Sequence, residues 1–357
     1  MIPMPKPVSI GTRDIGPDSP CFVIAEAGVN HNGDTALAHR LIDVAREAGA
    51  DAVKFQTFAA DRLVTADAPK ASYQKVNTGQ DDPQYGMLRS LELLPEAHHE
   101  LQAHCREAGI LFLSSPFDEE SADFLAGIGV PALKIPSGEL VNLPFLDHCA
   151  RLELPLILST GMADLAEVAV ALETIERAGG QAGAADVVLL HCLSNYPADP
   201  AEANLRAMAT LEAAFGRPVG YSDHTEGIAI ATAAVALGAA VVEKHFTLDR
   251  SLPGPDHAAS LTPDELSEMV RAIRSVESAL GDGRKRCMDS ERDTRAIARK
   301  SLAVALPLAA GTVLERRHLI ALRPGTGLPP SGFDRVLGRR TRQDIPAGTL
   351  LAMDMLE

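Results

Sequence analysis

The chain alternates short runs of β-branched and aliphatic residues with longer stretches in which apolar residues recur at helical spacing. Eight of the runs are strand-like, namely Phe22–Ala25, Ala52–Phe55, Ile110–Leu113, Ala132–Ile135, Pro155–Leu158, Val187–Leu190, Pro218–Tyr221 and Ala240–Glu243. Strands that alternate with amphipathic helices are typical of βαβ units and of a parallel sheet. Eight such units predict an α/β protein with a closed (β/α)8 barrel, the TIM barrel, rather than an open doubly wound sheet.

Eight segments between and after these strands have the spacing of amphipathic helices. They are Thr35–Ala48, Pro95–Ala108, Glu119–Gly127, Leu143–Leu152, Asp164–Ala178, Ala201–Phe215, Thr225–Leu237 and Pro263–Leu280. The segment Thr57–Leu94 has weak periodicity, and we expect a functional loop there because long loops in compact domains usually serve function.

The last part of the chain differs in pattern from the barrel. A charged stretch leads into about sixty residues of short, Gly- and Pro-punctuated strands, which fit a small, mostly β module. Ala310–Leu314 (AGTVL) is echoed by Ala347–Leu351 (AGTLL) within this tail. We therefore predict a barrel domain at 1–281, a linker at 282–299 and a small β domain at 300–357.

Composition narrows the classes of function. The 357 residues include 48 acidic and 33 basic side chains, a formal net charge of −15, and only 4% aromatic residues. Nucleic-acid binding and attachment to an anionic membrane both need a basic face, so neither is expected. The N-terminal residues Met1–Ile10 contain three prolines and no apolar core of a signal peptide. Five scattered cysteines without a C-x-x-C pair are typical of reduced thiols in a cytoplasmic protein.

Polar residues follow every predicted strand. In strand order they are Glu26; Lys54 and Gln56; Ser114 and Ser115; Lys134, Ser137 and Glu139; Ser159 and Thr160; His191, Ser194, Asn195 and Tyr196; Ser222, Asp223 and His224; and Glu243, Lys244 and His245. The carboxyl ends of barrel strands meet at one face, where the catalytic residues of such barrels lie. A barrel used only as a scaffold would not need this polar ring, so the ring predicts an active site.

Two lysines and several hydroxyls in the ring suit an anionic substrate. Lys54 and Gln56 have the same parity along their strand, so both side chains can point into the barrel. Lys134, together with the hydroxyls of Ser115, Ser137 and Ser159, can join Lys54 in binding a phosphate and a carboxylate. No phosphate-binding glycine loop is present in the sequence, so nucleotide-dependent chemistry has no support.

Two histidines end the seventh and eighth strands and can share a metal ion. His224 and His245 lie one βα unit apart, and two imidazoles with open positions for water or substrate suit a catalytic Mn²⁺ or Zn²⁺ site. A lone histidine is more often a hydrogen-bonded core or surface residue. His31 lies in an Asn-His-Asn-Gly-Asp segment that is typical of a turn with Asp34 as helix cap, and an additional contact of His31 with substrate is left open. His98 and His99 lie on a predicted helix and are expected on its solvated face.

Seven motifs at these strand ends occur together. They are Ile24–Gly33 (IAEAGVNHNG), Val53–Gln56 (VKFQ), Leu133–Glu139 (LKIPSGE), Ser159–Met162 (STGM), Ser222–Thr225 (SDHT), Glu243–Thr247 (EKHFT) and Gly254–His257 (GPDH). In this order they resemble the sialic acid synthase family. The tail, with Arg323–Gly327 (RPGTG), resembles the antifreeze-like or SAF domain of that family, so the resemblance covers almost the whole chain.

The resemblance implies an enzyme that condenses phosphoenolpyruvate with the open-chain aldehyde of an N-acylated mannosamine-type sugar. The products would be a nine-carbon nonulosonic acid of the N-acetylneuraminate type and phosphate. It implies that phosphoenolpyruvate is held by Lys54, Ser115, Lys134, Ser137, Ser159, Ser194 and Ser222. Where Ser194 stands, a bacterial sialic acid synthase has Asn, so the neighbouring Asn195 is an alternative for that contact.

The resemblance also implies the metal and acceptor contacts. His224 and His245 would bind a divalent cation, expected to be Mn²⁺ with Mg²⁺ or Co²⁺ as alternatives. The acceptor sugar and a metal-bound water would be oriented by Glu26, Gln56, Tyr196 and Asp256. Arg323 of a second subunit would reach the acyl group in a domain-swapped homodimer.

The chemistry of the residues is consistent with this implied reaction. A divalent cation polarises an aldehyde oxygen and can activate water. Glu139, two residues from Ser137, is a candidate for proton transfer or for stabilising a cationic intermediate, and equally for a structural partner of Lys134.

Other functions remain open on the sequence. The acceptor could instead be a 6-deoxy diacetamido sugar, which would make the enzyme a legionaminic or pseudaminic acid synthase. Another phosphoenolpyruvate-dependent synthase of keto-sugar acids would share the barrel but would have no reason to carry the tail. A non-catalytic sugar-binding assembly protein is the remaining alternative, and the complete polar ring counts against it.

Overall fold

The computed structural model of the chain describes residues 5–79, 83–179 and 186–357. The chain divides into two units, Met1–Gly281 and Asp282–Glu357, each with its own hydrophobic core. The first unit begins with an antiparallel hairpin of β1 (Val8–Ile10) and β2 (Arg13–Ile15).

Eight parallel strands follow the hairpin. They are β3 (Phe22–Gly28), β4 (Ala52–Thr57), β5 (Leu111–Pro116), β6 (Leu133–Ile135), β7 (Leu156–Ser159), β8 (Val187–Cys192), β9 (Val219–Asp223) and β10 (Val241–His245). Their hydrogen-bonded order is β5-β4-β3-β10-β9-β8-β7-β6, and β5 and β6 at its two ends lie side by side. The predicted barrel is therefore confirmed. Several strands continue two or three residues beyond their predicted ends, so polar residues of the ring belong to the strands themselves.

Helices connect the strands. They are α1 (Thr35–Glu47), α2 (Ala60–Leu63), α3 (Ser72–Thr78), α4 (Gln84–Leu91), α5 (Pro95–Ala108), α6 (Glu119–Gly127), α7 (Leu143–Arg151), α8 (Leu165–Ala178), α9 (Ala207–Phe215), α10 (Ala229–Ala236) and α11 (Pro263–Leu280). Asp34 caps α1 by accepting hydrogen bonds from the N–H groups of Ala36 and Leu37. Among the described residues, no helix is long and apolar enough to cross a membrane.

The strand alternation divides each barrel strand between two cores. On β4, Val53 and Phe55 pack in the core between strands and helices, whereas Ala52 lies in the barrel interior. The apolar interior also includes Phe22, Ile24, Leu113, Ile157, Val188, Leu190 and Val241. Val8, Ile10 and Ile15 of the hairpin pack against this interior cluster. The interior is thus apolar near the amino ends of the strands, which leaves its polar positions at the carboxyl ends.

The segment Thr57–Leu94, expected to be a loop, contains three short helices, α2, α3 and α4. They have only four, seven and eight residues, too few for a helical period to stand out in the sequence. Residues 80–82 of this segment lie outside the described residues.

The second unit consists of short elements around a small core. Its helices are α12 (Arg292–Ala298) and α13 (Phe333–Val336), and its antiparallel strands are β11 (Ser301–Val304) and β12 (Leu319–Leu322). The stretch expected to be a linker therefore contains a helix, α12. The core is formed by Leu302, Val304, Leu308, Leu314, Val336, Ile345, Leu351 and Leu356.

Hydrogen bonds relate the two echoed halves of this unit by an approximate two-fold axis. Leu308 and Ile345, 37 positions apart, exchange both of their backbone hydrogen bonds, at 2.9 and 2.8 Å. A bond of 2.7 Å joins the N–H of Gly311 to the carbonyl of Thr341. Its counterpart after the same shift, from Gly348 to Val304, is also 2.7 Å. The sequence echo is thus a structural repeat.

Candidate active site

A cavity of about 330 Å³ opens at the carboxyl ends of the barrel strands. Its wall contains most of the residues that the sequence assigned to substrate and metal, namely Glu26, Lys54, Gln56, Ser115, Lys134, Ser137, Ser159, Ser194, Tyr196, Ser222, His224, His245 and Asp256. Helices α3 and α4 complete the wall on one side. The fold thus brings these dispersed residues into one space.

Four buried charges form the floor of the cavity. Lys54 Nζ lies 2.7 Å from Glu26 Oε2 and 3.7 Å from Glu243 Oε2, while Lys134 Nζ lies 3.3 Å from Glu243 Oε1. All four residues are at most 4% exposed. Two ammonium groups therefore face two carboxylates, and the floor is balanced in charge.

Glu243 lines the cavity, and the sequence motifs gave it no role. Glu243 and His245 are two positions apart on β10, so both side chains lie on the same face of the strand and point into the barrel. Applying to β10 the parity that placed Lys54 and Gln56 would have found it. Ser222 on the neighbouring strand donates a hydrogen bond of 2.8 Å to Glu243 Oε1.

The three carboxyl groups of the cavity, those of Glu26, Glu243 and Asp256, differ in the direction in which their pKa values are shifted. Burial raises the pKa of Glu26 even though Lys54 opposes the shift. Burial would also raise the pKa of Glu243, but Lys134 and Lys54 outweigh it and hold that pKa well below its usual range. Burial raises the pKa of Asp256 to about 6. Perturbed carboxyl groups in a cleft are candidates for proton transfer, and Glu26 and Asp256 have pKa values displaced toward neutrality.

The serine hydroxyls are placed around the two lysines. Ser115 Oγ accepts a hydrogen bond of 3.0 Å from Lys54, and Ser137 Oγ accepts one of 3.0 Å from the N–H of Gly161. The buried hydroxyl of Ser159 has no hydrogen-bond partner among the described residues. A buried hydroxyl is costly to leave unpaired, so this group is consistent with an oxygen-rich ligand.

His224 and His245 lie next to each other, with ring centroids 5.6 Å apart. His224 Nδ1 donates a hydrogen bond to the carbonyl of Leu193, which leaves Nε2 as the basic nitrogen. Burial lowers the pKa of His224 to about 4 and that of His245 well below its usual value. Neutral imidazole is the form that binds metals, and Nδ1 of His245 is buried without a hydrogen-bond partner.

The donor set therefore fits two ligands of a divalent cation with open positions for water or substrate. In residues 5–79, 83–179 and 186–357 no group of three or more His, Cys, Asp or Glu side chains is arranged to hold a metal ion. The metal site stays a prediction.

Tilted aromatic ring contacts join the inserted helices to the histidines. The ring of Tyr196 lies 4.1 Å from that of His224 and 5.0 Å from that of Tyr73 on α3. The sequence did not identify Tyr73 or the other wall residues of α3 and α4, which are Gln74, Gln84, Met87, Leu88 and Leu91. These positions have no motif, and only the packing of the segment reveals them.

Two residues assigned from the sequence lie elsewhere. Ser137–Glu139 forms a 3₁₀ turn after β6, so strand alternation ends there and the carboxylate of Glu139 accepts a hydrogen bond from Asn142 at 2.7 Å. Lys134 pairs with Glu243 instead of Glu139. Asn195 is exposed to solvent, whereas its neighbour Ser194 lines the cavity. These expectations for Glu139 and Asn195 are not supported by the structure.

Two other histidines are buried for structural reasons. The expectation that His98 is solvated is wrong, because its Nε2 lies 2.8 Å from Thr57 Oγ1 and its side chain is fully buried on α5. His99 is exposed, as expected. His31 is fully buried and its Nδ1 accepts a hydrogen bond from the N–H of Gly33, which makes it a turn residue. Arg323 lies just after β12 and is exposed, and its contact with an acceptor stays a prediction.

The fold and the cavity define a class of protein, a (β/α)8 barrel with a charge-balanced polar site at the carboxyl ends of its strands and a small β domain after it. The chain belongs to the NeuB family, whose family model matches residues 41–285, and residues 299–357 match the SAF domain. The family resemblance that the motifs indicated is thus confirmed.

Individual relatives cover nearly the full length. The chain is 50% identical to N,N'-diacetyllegionaminic acid synthase of Legionella pneumophila, over 97% of this chain and 98% of the relative. It is 36% identical to human N-acetylneuraminate-9-phosphate synthase, over 92% of this chain and 90% of the relative. A crystal structure of N-acetylneuraminic acid synthetase from Leptospira borgpetersenii superposes with a TM-score of 0.71 at 35% identity, over 82% of this chain and 95% of that chain.

Proposed function

We propose that the protein is a nonulosonic acid synthase that condenses phosphoenolpyruvate with a 6-deoxy diacetamido sugar to give a legionaminic acid and phosphate. The observation that carries the proposal is the 50% identity to a diacetyllegionaminic acid synthase over almost the full chain. The alternative of the sequence analysis, a legionaminic acid synthase, is thereby better supported than the N-acetylneuraminate-type synthase that was the first expectation. The 36% identity to the human N-acetylneuraminate-9-phosphate synthase is lower over a similar span.

The outer wall of the cavity supports this acceptor. It includes the apolar side chains of Val29, Leu63, Val64, Met87, Leu88, Leu91 and Phe117, together with the polar side chains of Gln74 and Gln84. Among the described lining residues, Lys54 and Lys134 are the only Lys or Arg side chains, and both are on the floor. A 6-phosphate in the outer part would be desolvated without a cation, whereas a methyl group and acyl methyl groups suit an apolar wall.

The floor supports phosphoenolpyruvate as the second substrate. Lys54 and Lys134 supply the positive charge for its phosphate and carboxylate, and the hydroxyls of Ser115, Ser137 and Ser159 supply hydrogen bonds. When the substrate is absent, Glu26 and Glu243 balance the lysines. The anionic substrate therefore competes with two internal carboxylates for the two lysines.

The proposed reaction forms one carbon–carbon bond. C3 of the enolpyruvate attacks the aldehyde carbon of the open-chain sugar, and the aldehyde oxygen takes a proton. C2 then has cationic character, water adds to it with loss of a proton, and C–O cleavage of the tetrahedral intermediate releases phosphate. A divalent cation held by His224 and His245 would polarise the aldehyde oxygen as a Lewis acid.

The chain supplies groups for both proton transfers. Asp256, with a pKa of about 6, can give a proton to the developing alkoxide. Glu26 lies beside Lys54 and can accept the proton of the water that adds to C2. Tyr196, whose ring contacts that of His224, can hold the sugar in position.

The assay that tests the proposal follows phosphate release from phosphoenolpyruvate and Mn²⁺ with a panel of acceptors. The panel contains 2,4-diacetamido-2,4,6-trideoxymannose, N-acetylmannosamine and N-acetylmannosamine 6-phosphate. We expect the highest kcat/KM with the diacetamido sugar and the lowest with the 6-phosphate. A preference for the 6-phosphate would contradict the proposed acceptor, and no release with any sugar would contradict the enzyme itself.

The domain-swapped homodimer belongs to the same proposal. Exposed Arg323 of one protomer would contact the acyl group of an acceptor bound in its partner. Sedimentation should give the mass of a dimer, and a monomer with full activity would contradict this part.

A further inference from the structure

Strands β9 and β10 are joined by successive cross-strand pairs. In their parallel register Ser222 lies opposite Glu243, and Asp223 lies opposite Lys244. The first pair points into the cavity and is hydrogen-bonded at 2.8 Å. The second pair points the other way, because successive side chains of a strand alternate between its two faces. The next residue along each of the two segments is a histidine, and both His224 and His245 face the cavity again.

The outward pair is a fully buried ion pair. Lys244 Nζ lies 2.6 Å from Asp223 Oδ2, and both residues are 1% exposed. Lys244 Nζ also donates a hydrogen bond of 2.6 Å to the carbonyl of Thr225. Asp223 Oδ1 accepts bonds from the N–H and the hydroxyl of Thr225, at 3.0 and 2.8 Å. The pair thus holds the backbone on both sides of His224.

The same turn is fixed from its other side by the segment after β8. The N–H of Ala198 donates a hydrogen bond of 2.8 Å to the carbonyl of His224, and the carbonyl of Leu193 accepts one from the ring. His245 is tied less directly: its carbonyl accepts a hydrogen bond from Leu261, and its side chain Nδ1 has no hydrogen-bond partner. Its direction therefore depends on the position of β10, which Lys244 links to β9.

We propose that the Asp223–Lys244 ion pair is a positioning device that sets the spacing and direction of the His224 and His245 imidazoles. This inference rests on the proposed metal-dependent function. A buried ion pair adds little net stability compared with an uncharged pair of similar size, so its use is better explained by fixing one arrangement of neighbouring groups. A shift of β10 by one residue relative to β9 would turn the His245 imidazole away from the cavity, while His224 would keep its direction.

The test uses the full-length protein and Co²⁺, whose visible absorption reports ligand geometry. The main variant is D223N/K244M, in which no buried charge is left unpaired and the Asn oxygen can still accept from Thr225. We expect cooperative unfolding near that of the wild type, an altered Co²⁺ spectrum, and a Kd for Co²⁺ at least about tenfold higher. D147N/R151M removes an exposed i,i+4 pair on α7 and is the matched control.

The outcomes separate the inference from the proposed function. Wild-type protein that binds no Co²⁺ would contradict the proposed metal site. Wild-type protein that binds Co²⁺, with a folded D223N/K244M variant of unchanged Kd and spectrum, would overturn the positioning role. If D223N/K244M does not fold, the K244R variant tests the positioning role in its place, because it keeps the positive charge and alters the geometry of the ion pair. The spectrum of folded K244R should change, and an unchanged one would overturn the role.

Discussion

At the scale of single residues, close packing around Gly161 controls two serines of the cavity. A Cβ at this position would lie 2.5 Å from Ser194 Oγ and 2.8 Å from Ser137 Oγ. These distances are too short for real contacts, and both hydroxyls belong to the proposed phosphoenolpyruvate site. The residue therefore contributes by having no side chain.

We expect G161A to raise the KM for phosphoenolpyruvate about tenfold or more, because the added methyl group must displace both serines. Steady-state kinetics with phosphoenolpyruvate varied at saturating acceptor measure the effect. G138A is the matched control, since a Cβ there meets nothing within 4 Å. Equal KM values for the two variants would contradict the placement of Ser137 and Ser194.

Asp256 makes the stability of the protein depend on pH. Burial raises its pKa from 3.8 to about 6, so in this interval the native carboxyl holds a proton that the unfolded chain has released. The stability that this group contributes is therefore complete below about pH 4 and is lost as the pH rises through 6. D256N should exceed the wild type in free energy of unfolding by up to about 3 kcal/mol above pH 7.

Urea unfolding between about pH 4 and pH 8 measures this difference, which should close toward the acidic end. E173Q, at an exposed position of α8, should stay within about 0.5 kcal/mol of the wild type throughout. A constant gap between D256N and the wild type would contradict the raised pKa.

The residues of the site were predictable where strand parity or a motif identified them. Lys54 and Gln56 follow from alternation alone, and Ser159 follows from its place at a strand end. The roles expected of Glu139 are not supported, because a 3₁₀ turn ends the strand alternation after β6 and the side chain does not line the cavity. Tyr73 has no local signal, because its contact with Tyr196 depends on how α3 packs over the barrel.

At the scale of elements, α5 is anchored by a polar side chain on its buried face. His98 bonds to Thr57 of β4 at 2.8 Å and to the carbonyl of Leu94 at 3.0 Å, and its ring lies 5.4 Å from that of Phe124. The helix is thereby linked to the strand that carries Lys54. Sequence periodicity predicted the helix but could not show that an imidazole replaces an apolar residue on its inner face.

H98A should lower the free energy of unfolding by about 2–4 kcal/mol, because it leaves a cavity and removes a buried hydrogen bond to Thr57. Denaturant unfolding at neutral pH measures the loss. Its neighbour on the same helix provides the control, since H99A changes an exposed side chain and should alter stability by at most about 0.5 kcal/mol. Losses of similar size in both variants would mean that helix propensity, not burial, decides the effect.

At the scale of the whole molecule, the sequence predicted the barrel because its eight strands repeat one simple pattern. The second unit was harder to predict in detail, since its strands are short and much of its pairing consists of isolated bridges, such as Val313 with Arg340. Only the echo around Gly311 and Gly348 indicated its internal order.

The second unit should fold without the barrel. It has a separate apolar core and its halves satisfy each other's backbone hydrogen bonds. We expect a fragment of residues 282–357 to unfold cooperatively on heating, with dispersed amide resonances beforehand. A fragment with the spectrum of a random coil would show that the unit depends on the rest of the chain.

R323A should change the KM for the sugar but not the KM for phosphoenolpyruvate if Arg323 contacts the acceptor. We expect the KM for the sugar to rise about tenfold while the KM for phosphoenolpyruvate changes little, since the guanidinium would contact the acyl group. R335A, an exposed arginine on α13, is the control. An unchanged sugar KM in R323A would remove this residue from the site.

The reciprocal bonds between Leu308 and Ile345 have an evolutionary consequence. The two halves of the second unit exchange backbone hydrogen bonds, and the donors and acceptors of these bonds recur 37 positions later. Two identical copies of an ancestral half-length peptide could have satisfied these bonds as a symmetric pair. Gene duplication and fusion would then have turned that association into one chain, after which either half could diverge without losing its complement.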